Sequence, residues 1–468
     1  MTHTLQTYIV ELSDIIWTYI LTLILIVCAL HFTLRTRFVQ LSQFREMLRL
    51  LLSPGPSHTD SKKPHITSFQ AFVIALASRI GTGNLAGVAT AISIGGPGAI
   101  FWMWVLALLS SATAFVESTL AQLYKRKAHD HTYYGGPAYY MLHGLGKKWM
   151  GILFAVLMIV TFGFAYNSVQ SNTISAACQK AFDTPPLYMG IITTILTLSI
   201  IFGGIHRVAK FSSTIVPLMA VVYLALTFGI IILNIPQLPH VIGTIVSNAF
   251  GMGQAAGGAL GVTIMQGIKR GLFSNEAGEG SAPNAAATAS VSHPVKQGLI
   301  QALGVFTDTL VICSCTAFII LLSDTDPQAS EGIQLTQAAL TTHVGTIGSP
   351  LIAILIWLFA FSSIIGNYYY GETNIRYITQ AKWPLTLYRL AVGATVMGGA
   401  VMTLDLAWSL ADIAMAMLTL CNLVAITLLS RQAIYLLQDY VRQKKAGQDP
   451  SFTKSQMPDI ADKLDAWE

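Results

Sequence analysis

Eleven long runs of predominantly apolar residues constrain this chain more than any other feature of its sequence. Each run holds about 20 residues or more, the length that an α-helix needs to cross the hydrocarbon core of a bilayer. A transmembrane barrel would instead need strands of about ten residues with alternating hydrophobicity. The sequence therefore predicts an all-α integral membrane protein with eleven spans at approximately 12–35, 68–95, 97–124, 148–179, 186–204, 207–235, 257–290, 295–323, 349–372, 384–403 and 406–440.

The composition excludes the soluble classes of protein. Only 10% of the 468 residues are charged, against about 25% in soluble domains, and the mean hydropathy is +0.59. A soluble globular protein, a disordered chain and a nucleic-acid binder are therefore excluded. The five cysteines are odd in number and form no Cys-x-x-Cys pair, so neither a disulfide framework nor a cysteine metal site is expected.

The basic residues are distributed unevenly between the loops. With the N-terminus outside, the predicted inner loops hold sixteen Lys and Arg residues, whereas the outer loops hold only Lys180. Cytoplasmic loops of membrane proteins carry such an excess of positive charge. Together with the odd number of spans, this predicts a multi-pass membrane protein with its N-terminus outside and its C-terminus inside. We expect its location to be the bacterial cytoplasmic (inner) membrane.

Two of the spans contain residues that a continuous membrane helix would avoid. The second span carries Gly81, Gly83 and Asn84 near its middle, beside Arg79. The seventh span combines glycines, a proline and charged residues over 267–284. Because glycine costs about 1 kcal/mol relative to alanine inside a helix, both spans are predicted to be discontinuous.

The positions of the two breaks divide the chain into halves. Spans two to six and seven to eleven form two groups of five, and an odd number makes the second group enter the membrane from the opposite side. Discontinuous helices at matching places of an inverted repeat indicate a transporter's binding site. We expect an extra N-terminal span and inner linker at 1–67, repeats at 68–250 and 251–440, and a cytoplasmic tail at 441–468.

A helix break at mid-membrane supplies binding groups from the backbone. The freed N–H groups attract a carboxylate, and the freed C=O groups attract cations. The pattern therefore indicates a zwitterionic solute, with one site for its carboxylate and one for its amine. A channel or uniporter and a membrane enzyme are the alternatives. A channel would not need two broken helices, and the chain contains no GxSxG, HExxH or Walker A motif.

The residues around these breaks also carry a family resemblance. The segments are GTGNLAGVATAI at 81–92, GGPGAIFWMW at 95–104, GGPAYYM at 135–141, GLFSNEAGEGSAPNAAATA at 271–289 and FAFSSIIGNYYYGE at 359–372. In order and spacing they resemble the alanine or glycine:cation symporter family. The resemblance implies the leucine-transporter-type fold with two inverted five-helix repeats. It also implies sodium-coupled uptake of alanine or glycine by alternating access, with serine and D-alanine as further candidate substrates.

The resemblance implies a set of binding residues as well. The substrate carboxylate would meet the backbone N–H groups of Thr82 and Gly83, with the Thr82 hydroxyl available, and the amine would meet the carbonyls of Arg79 and Ile80. The further substrate-binding residues would be Asn84, Gln170, Phe273, Asn275 and Asn367. The coupling ion, Na⁺, would bind the carbonyls of Ala77 and Ile80 and the hydroxyls of Ser362 and Ser363, since oxygen ligands suit a hard cation. No organic cofactor, nucleic acid or obligate protein partner is implied.

One departure from the family pattern bears on the substrate. Asn367 stands where many members of the family have Trp, so the pocket would be larger or more polar than theirs. A larger substrate such as glutamine is therefore an alternative to alanine and glycine.

Three acidic residues within or near the spans have open roles. Asp308 lies deep in the eighth span, where it could sense protons or pair with Arg79 or Lys269, because a bare charge is costly inside a membrane. Proton coupling is therefore the alternative to sodium, which Ser362 and Ser363 favour. Glu117 and Glu372 lie near the predicted inner ends of their spans, and we expect them at the membrane interface.

Overall fold

Helices make up nearly all of the structure, a computed structural model that describes residue 8 and residues 11–52, 66–128, 132–251 and 257–467. The helices are α1 (Glu11–Arg35), α2 (Val39–Ser42), α3 (Phe44–Leu52), α4 (Ser68–Arg79), α5 (Gly83–Gly95), α6 (Gly98–Leu123), α7 (Pro137–His143), α8 (Lys148–Phe182), α9 (Pro186–Ile201), α10 (Gly204–Leu233), α11 (Leu238–Ala249), α12 (Gly257–Asn275), α13 (Ala282–Ala286), α14 (Pro294–Leu321), α15 (Ile333–Val344), α16 (Gly348–Ile378), α17 (Lys382–Val401) and α18 (Leu404–Lys445). Between α6 and α7, strand β1 (Arg126–Lys127) pairs antiparallel with β2 (Tyr133–Tyr134).

The helices coincide with the predicted spans. Each of the eleven apolar runs corresponds to one long helix, or to a helix pair separated by a break, so the all-α membrane class is confirmed. Within the described ranges, seven helices are long and apolar enough to cross a bilayer, and the bent pair α4 and α5 would make an eighth. The count of eleven spans and the domain boundaries remain predictions, and residues 53–65 of the expected inner linker lie outside the described residues.

Helix α6 forms the centre of the packing, and glycines on its neighbours let backbones come close. An added Cβ at Gly267 of α12 would lie 2.4 Å from the carbonyl oxygen of Ala99, and one at Gly298 of α14 would lie 2.1 Å from Thr119 Oγ1. Small residues allow this approach between membrane helices. Gly267 therefore serves packing inside a continuous helix, and the break in the seventh span is shorter than the predicted stretch of 267–284.

Three charged residues inside the helix bundle, Lys269, Arg270 and Asp412, form an ion-paired cluster. Lys269 Nζ lies 2.7 Å from Asp412 Oδ2, and the Arg270 guanidinium donates to both oxygens of the same carboxylate at 3.2 and 3.0 Å. Asp412 therefore joins α12 to α18. Loss of this pairing would be strongly destabilising, because it would leave a buried charge without a partner.

The C-terminal segment returns along the side of the molecule where α18 ends. The Phe452 N–H donates to the Ser292 carbonyl at 2.8 Å. The Trp467 indole N–H donates to the carbonyls of Gln122 and Leu123 at the end of α6, at 3.1 and 3.2 Å. We call this side of the molecule, which carries residues 446–467, the tail side.

His293 links this tail side to the start of α14. Its Nδ1 accepts the Val295 N–H at 3.2 Å and so caps the helix, and its Nε2 lies 3.3 Å from Asp439 Oδ2. Since Nδ1 accepts, Nε2 carries the proton of a neutral ring and donates to Asp439. Burial lowers the pKa of His293 to about 4, although Asp439 acts in the opposite direction.

We expect acid to weaken the structure through His293. Between pH 6.5 and 4 the unfolded histidine binds a proton that the folded one does not, so stability falls as the pH falls through this window. The loss at pH 5 should be about 2 kcal/mol. Thermal unfolding at pH 7.5 and 5.0 measures it. The variant His293→Asn, which keeps an N-cap acceptor and does not titrate, should show a smaller acid-induced drop, whereas the exposed control His240→Gln should behave as the native protein. An equal drop in His293→Asn would contradict this role.

Candidate functional site

The second predicted span is broken at the expected place. Helix α4 ends at Arg79, α5 begins at Gly83, and the two axes bend by 51°. Between them Ile80 has an extended backbone with φ −78° and ψ 93°. A side chain would not fit at Gly81, because an added Cβ would lie 2.2 Å from Ser363 Oγ. The break therefore depends on a glycine that lets α16 approach the unwound backbone.

Side chains satisfy the N–H groups that this break frees. The Gly81 N–H donates to Asn84 Oδ1 at 2.8 Å, and the Thr82 N–H donates to Gln170 Oε1 at 3.0 Å. The Thr82 hydroxyl is buried and has no hydrogen-bond partner among the described residues. Since buried hydroxyls are usually hydrogen-bonded, Thr82 offers a donor and an acceptor to a ligand at the break.

The carbonyl end of the same break faces α16. Ser363 Oγ lies 3.1 Å from the Ala77 carbonyl oxygen, 3.2 Å from that of Ile80 and 3.1 Å from that of Phe359. Because a hydroxyl has one proton to donate, it cannot satisfy all three of these carbonyl oxygens. Ser362 Oγ lies 3.5 Å from the Ala77 carbonyl oxygen. We call the oxygens of Ala77, Ile80, Ser362 and Ser363 the oxygen cluster. It has more lone pairs than protons, a donor set that fits a hard cation.

The seventh span unwinds between α12 and α13. Glu276, Gly278 and Gly280 have φ angles of 56°, 99° and 80°, in the left-handed region that glycine adopts most readily. Glu117 of α6 accepts the N–H groups of Gly278 and Gly280 at 3.2 and 3.1 Å. A buried carboxylate thus satisfies the backbone donors that the second break frees.

The two breaks contact each other directly. An added Cβ at Gly83 would lie 3.0 Å from Phe273 Cδ1. Glu276 Oε1 accepts from the Ser78 hydroxyl at 2.7 Å, and its Oε2 accepts from the Ser281 hydroxyl at 2.6 Å. Glu276 therefore joins the last turn of α4 to the unwound segment after α12.

Aromatic side chains cover this junction. The Phe273 ring lies between the rings of Tyr166 and Trp408, with both centroids at 4.6 Å. The Tyr166 hydroxyl donates to Glu279 at 3.0 Å, and the Arg270 guanidinium lies 4.3 Å from the Trp408 ring centre. The Trp408 Nε1 is buried without a partner among the described residues, although buried indoles usually donate a hydrogen bond.

Three of the residues implied by the family resemblance direct their side chains away from this junction. The Arg79 guanidinium donates to the Gln301 carbonyl at 3.3 Å. The Asn84 amide donates to Asp308 at 2.7 Å, and the Asn275 side chain bonds within the second break and to α14. The Asn84 and Asn275 side chains therefore stabilise the breaks, whereas the Arg79 side chain contacts α14. The role expected for the Arg79 carbonyl stays a prediction.

Asn367 of α16 contacts the last turn of α4, just before the first break. Its Oδ1 lies 2.6 Å from the Ser78 hydroxyl oxygen and competes with Glu276 for the single proton of that hydroxyl, and its amide donates to Asn167 Oδ1 at 3.1 Å. The side chain is therefore part of a polar chain that links α4, α16 and α8.

Asp308 makes neither of the two ion pairs considered for it. Its carboxylate accepts from Asn84, from the Ser274 hydroxyl at 2.7 Å and from the Thr309 hydroxyl at 3.0 Å, while Lys269 pairs with Asp412. Asp308 therefore organises hydrogen-bond donors beside the breaks instead of neutralising a basic side chain.

The expected interfacial position of Glu117 is wrong. Its exposed fraction is 0%, because it caps the second break inside the bundle. Glu372 is also buried, but it pairs with Arg376 at 2.7 Å, and 55% of that side chain is exposed. Sequence reasoning thus missed Glu117 as a site residue, together with Tyr166 and Trp408. For Glu117, the signal in the sequence was a single carboxylate inside an apolar run.

The chain is similar to proteins of known family. It matches the sodium:alanine symporter family over residues 2–454. It is 53% identical to the probable sodium/glutamine symporter GlnT of Bacillus subtilis over 443 residues, which cover 94% of this chain and 92% of that protein. It is 50% identical to the amino-acid carrier protein AlsT of Bacillus subtilis, with 97% and 96% covered. It is 38% identical to the sodium/alanine symporter AgcS of Methanococcus maripaludis, with 89% and 93% covered.

Solved structures share the fold. MhsT in complex with L-phenylalanine aligns with a TM-score of 0.54 at 15% identity, covering 86% of this chain and 93% of the other. A manganese transporter of Eremococcus coleocola aligns with a TM-score of 0.53 at 15% identity, covering 88% and 95%. The leucine-transporter-type fold is therefore confirmed.

We expect Gly81→Ala to destabilise the protein. The added methyl group would overlap Ser363 and the Gln170 side chain, and overpacking of this kind costs about 1–3 kcal/mol. The matched control is Gly229→Ala in α10, where an added Cβ meets nothing within 4 Å and helix propensity improves by about 1 kcal/mol. Thermal unfolding of the purified variants compares them. Equal melting temperatures would contradict the close approach of α16 to the break.

Proposed function

Since this chain belongs to the sodium:alanine symporter family and is a secondary active amino-acid symporter, we propose that Na⁺ drives the uptake of a small neutral amino acid, alanine or glycine first. The observation that carries this proposal is that the oxygen cluster includes Ile80, two residues before Thr82, whose buried hydroxyl has no partner among the described residues. A cation and a carboxylate can therefore bind to opposite ends of one unwound segment.

The substrate carboxylate would bind the N–H groups of Thr82 and Gly83 and the Thr82 hydroxyl. In the structure Gln170 Oε1 accepts the Thr82 N–H, and a carboxylate oxygen would take its place and leave Gln170 free to donate. The amine would bind the carbonyls of Arg79 and Ile80. Helix termini favour this polarity because their N–H ends carry partial positive charge and their C=O ends partial negative charge.

The side chain of the substrate would face the second break. Phe273, which touches the first break near Gly83, would form its apolar wall with Tyr166 and Trp408. Asn84, Asn275 and Asn367 would act mainly by holding the breaks in position, since their polar groups are bonded to protein. A compact wall of this kind favours a small substrate.

Na⁺ would bind the oxygen cluster. The carbonyls of Ala77 and Ile80 and the hydroxyls of Ser362 and Ser363 are neutral, so the ion would supply the positive charge that the surplus of acceptors requires. Because Ile80 belongs to both proposed sites, binding of ion and amino acid would be linked through the same unwound backbone.

Two alternatives have support in the names of relatives. Glutamine as substrate is favoured by the 53% identity to a probable sodium/glutamine symporter. Proton dependence is favoured by a relative of Bacillus subtilis at 43% identity, a putative sodium/proton-dependent alanine carrier protein. For proton coupling, the buried carboxylates at the breaks would be the candidate carriers.

Alternating access would require the tail side of the site to open. The Ser290 N–H donates to the Ile66 carbonyl at 3.1 Å, so the segment after α13 pairs with the segment before α4. Lys125 Nζ donates to the Ala289 carbonyl at 3.0 Å beside them. We propose that these bonds close the inner exit in a multi-pass protein of the inner membrane, with the N-terminus outside and the C-terminus inside.

The proposal is tested by uptake into proteoliposomes under one driving force at a time. We expect a sodium gradient to drive accumulation of radiolabelled alanine, and neither lithium nor a proton gradient to replace it. Unlabelled glycine and glutamine, added as competitors, identify the preferred substrate. Uptake driven equally by a proton gradient without sodium would contradict sodium coupling, and flux that does not saturate would contradict a symporter.

We expect substitutions at the two proposed sites to have separable effects. Ser363→Ala removes a ligand of the oxygen cluster, so the sodium concentration for half-maximal uptake should rise about tenfold, equivalent to about 1.4 kcal/mol. Thr82→Val keeps the shape and removes the hydroxyl, so the half-saturating amino-acid concentration should rise by a similar factor. Ser213→Ala, on the outer surface of α10, is the control. Unchanged kinetics in either variant would remove that residue from its site.

A further inference from the structure

A basic groove lies on the tail side, away from the candidate site. Its volume is about 690 Å³, and it is formed by the end of α1, the turn that follows and the last turns of α18. Four basic residues line it, namely Arg35, Arg37, Arg442 and Lys445, and no carboxylate is among the described residues that line it. The groove therefore concentrates positive charge.

Most of this charge is not neutralised by the protein. Arg442 pairs with Asp439, which is not among the residues that line the groove. Arg35, Arg37 and Lys445 have no ion pair within the described part of the chain. Like charges repel where they converge, so an anion bound between them would be favoured.

A strained turn holds one of the basic residues on the groove wall. Arg37 and Phe38 have φ angles of 54° and 55°, a left-handed conformation that is unfavourable for residues other than glycine. The Phe38 N–H donates to the Thr33 carbonyl at 2.8 Å and the Arg37 N–H to the Leu34 carbonyl at 3.1 Å. The chain therefore reverses directly at the end of α1, and Arg37 stays beside Arg35.

The neighbouring helix α3 places the groove at the level of a membrane surface. Phe44, Leu48 and Leu52 are spaced by four residues and are exposed on one side of α3, with exposed Arg45 beside them. An amphipathic helix of this composition lies in the interface, with its apolar face among the acyl chains and its basic residues at the headgroups.

Exposed apolar side chains continue from the groove along both of its helices. Leu34 of α1 is 62% exposed and Leu428 of α18 is 65% exposed, with Leu30 and Tyr435 also exposed nearby. Acyl chains could follow this surface from a headgroup in the groove. A soluble anion would make no use of it.

We propose that the groove binds the headgroup phosphate of an anionic phospholipid of the leaflet on the tail side, with its acyl chains along α1 and α18. Basic pockets between membrane helices recognise such headgroups by charge. The lipid would join α1, which lies outside the two repeats, to α18, whose Asp412 and Trp408 contact the second broken helix. The proposal is independent of which amino acid is carried.

The test uses the purified full-length protein in neutral detergent. We expect dioleoylphosphatidylglycerol to raise the melting temperature by several degrees in a saturable way, and phosphatidylcholine to have no such effect. In the double variant Arg37→Gln and Lys445→Gln, the concentration for half of this shift should rise at least tenfold. The control Lys454→Gln and Lys463→Gln removes the same charge from exposed positions on the same side and should respond as the native protein.

Two further arms make the test decisive. Arg37→Lys with Lys445→Arg keeps the charge and should keep the response, which separates lipid binding from a folding defect. Inorganic phosphate should not reproduce the shift. If phosphate alone reproduces it, the groove binds a soluble anion and the proposal is wrong. It is also wrong if the charge-removing variant responds as the native protein does, or if phosphatidylcholine acts equally.

Discussion

Every peptide group that a broken helix exposes inside a membrane must find a partner, because lipid offers none. This constraint organises the centre of the molecule. Irregular backbone at that depth survives where protein or a polar cavity surrounds it. Here Asn84, Gln170 and Glu117 accept the freed N–H groups, and Ser363 faces the freed carbonyls. The polar residues of the bundle are arranged around the two breaks for this reason.

Other buried polar side chains connect the segments around the two breaks. Glu276 bonds to Ser78 on one broken helix and to Ser281 on the other. Asp412 holds Lys269 and Arg270 of α12 against α18. These bonds hold the elements around the breaks together, because they are costly to leave unmade in a low-dielectric interior. A transporter that moves between two states needs such discrete connections, since packed helices switch between arrangements and do not deform continuously.

The tail side of the molecule carries two of the features on which the proposals depend. On the tail side Ser290 pairs with Ile66, and the returning C-terminal segment caps α6 through Trp467. The basic groove of Arg35, Arg37, Arg442 and Lys445 lies on this side as well. If this side opens as we propose, a bound anionic lipid would act on it through α18 and not on the substrate site itself.

Much of the fold was readable from the sequence, because apolar length and glycine clustering are local properties. The apolar runs determined that the chain is a helical membrane protein, and GTGN at 81–84 determined where the first helix breaks. The partners of the breaks were not readable. Glu117 lies far in the chain from residues 276–281, and Tyr166 and Trp408 lie far from Phe273. Periodicity also could not separate the packing glycine at 267 from the turn glycines at 278 and 280, since glycine lowers helix propensity in either role.

Sequence alone determined which segments enter the membrane and which of them cannot remain helical there. Only the tertiary structure decided which side chains satisfy the exposed backbone, because those hydrogen bonds join residues that the chain order keeps apart.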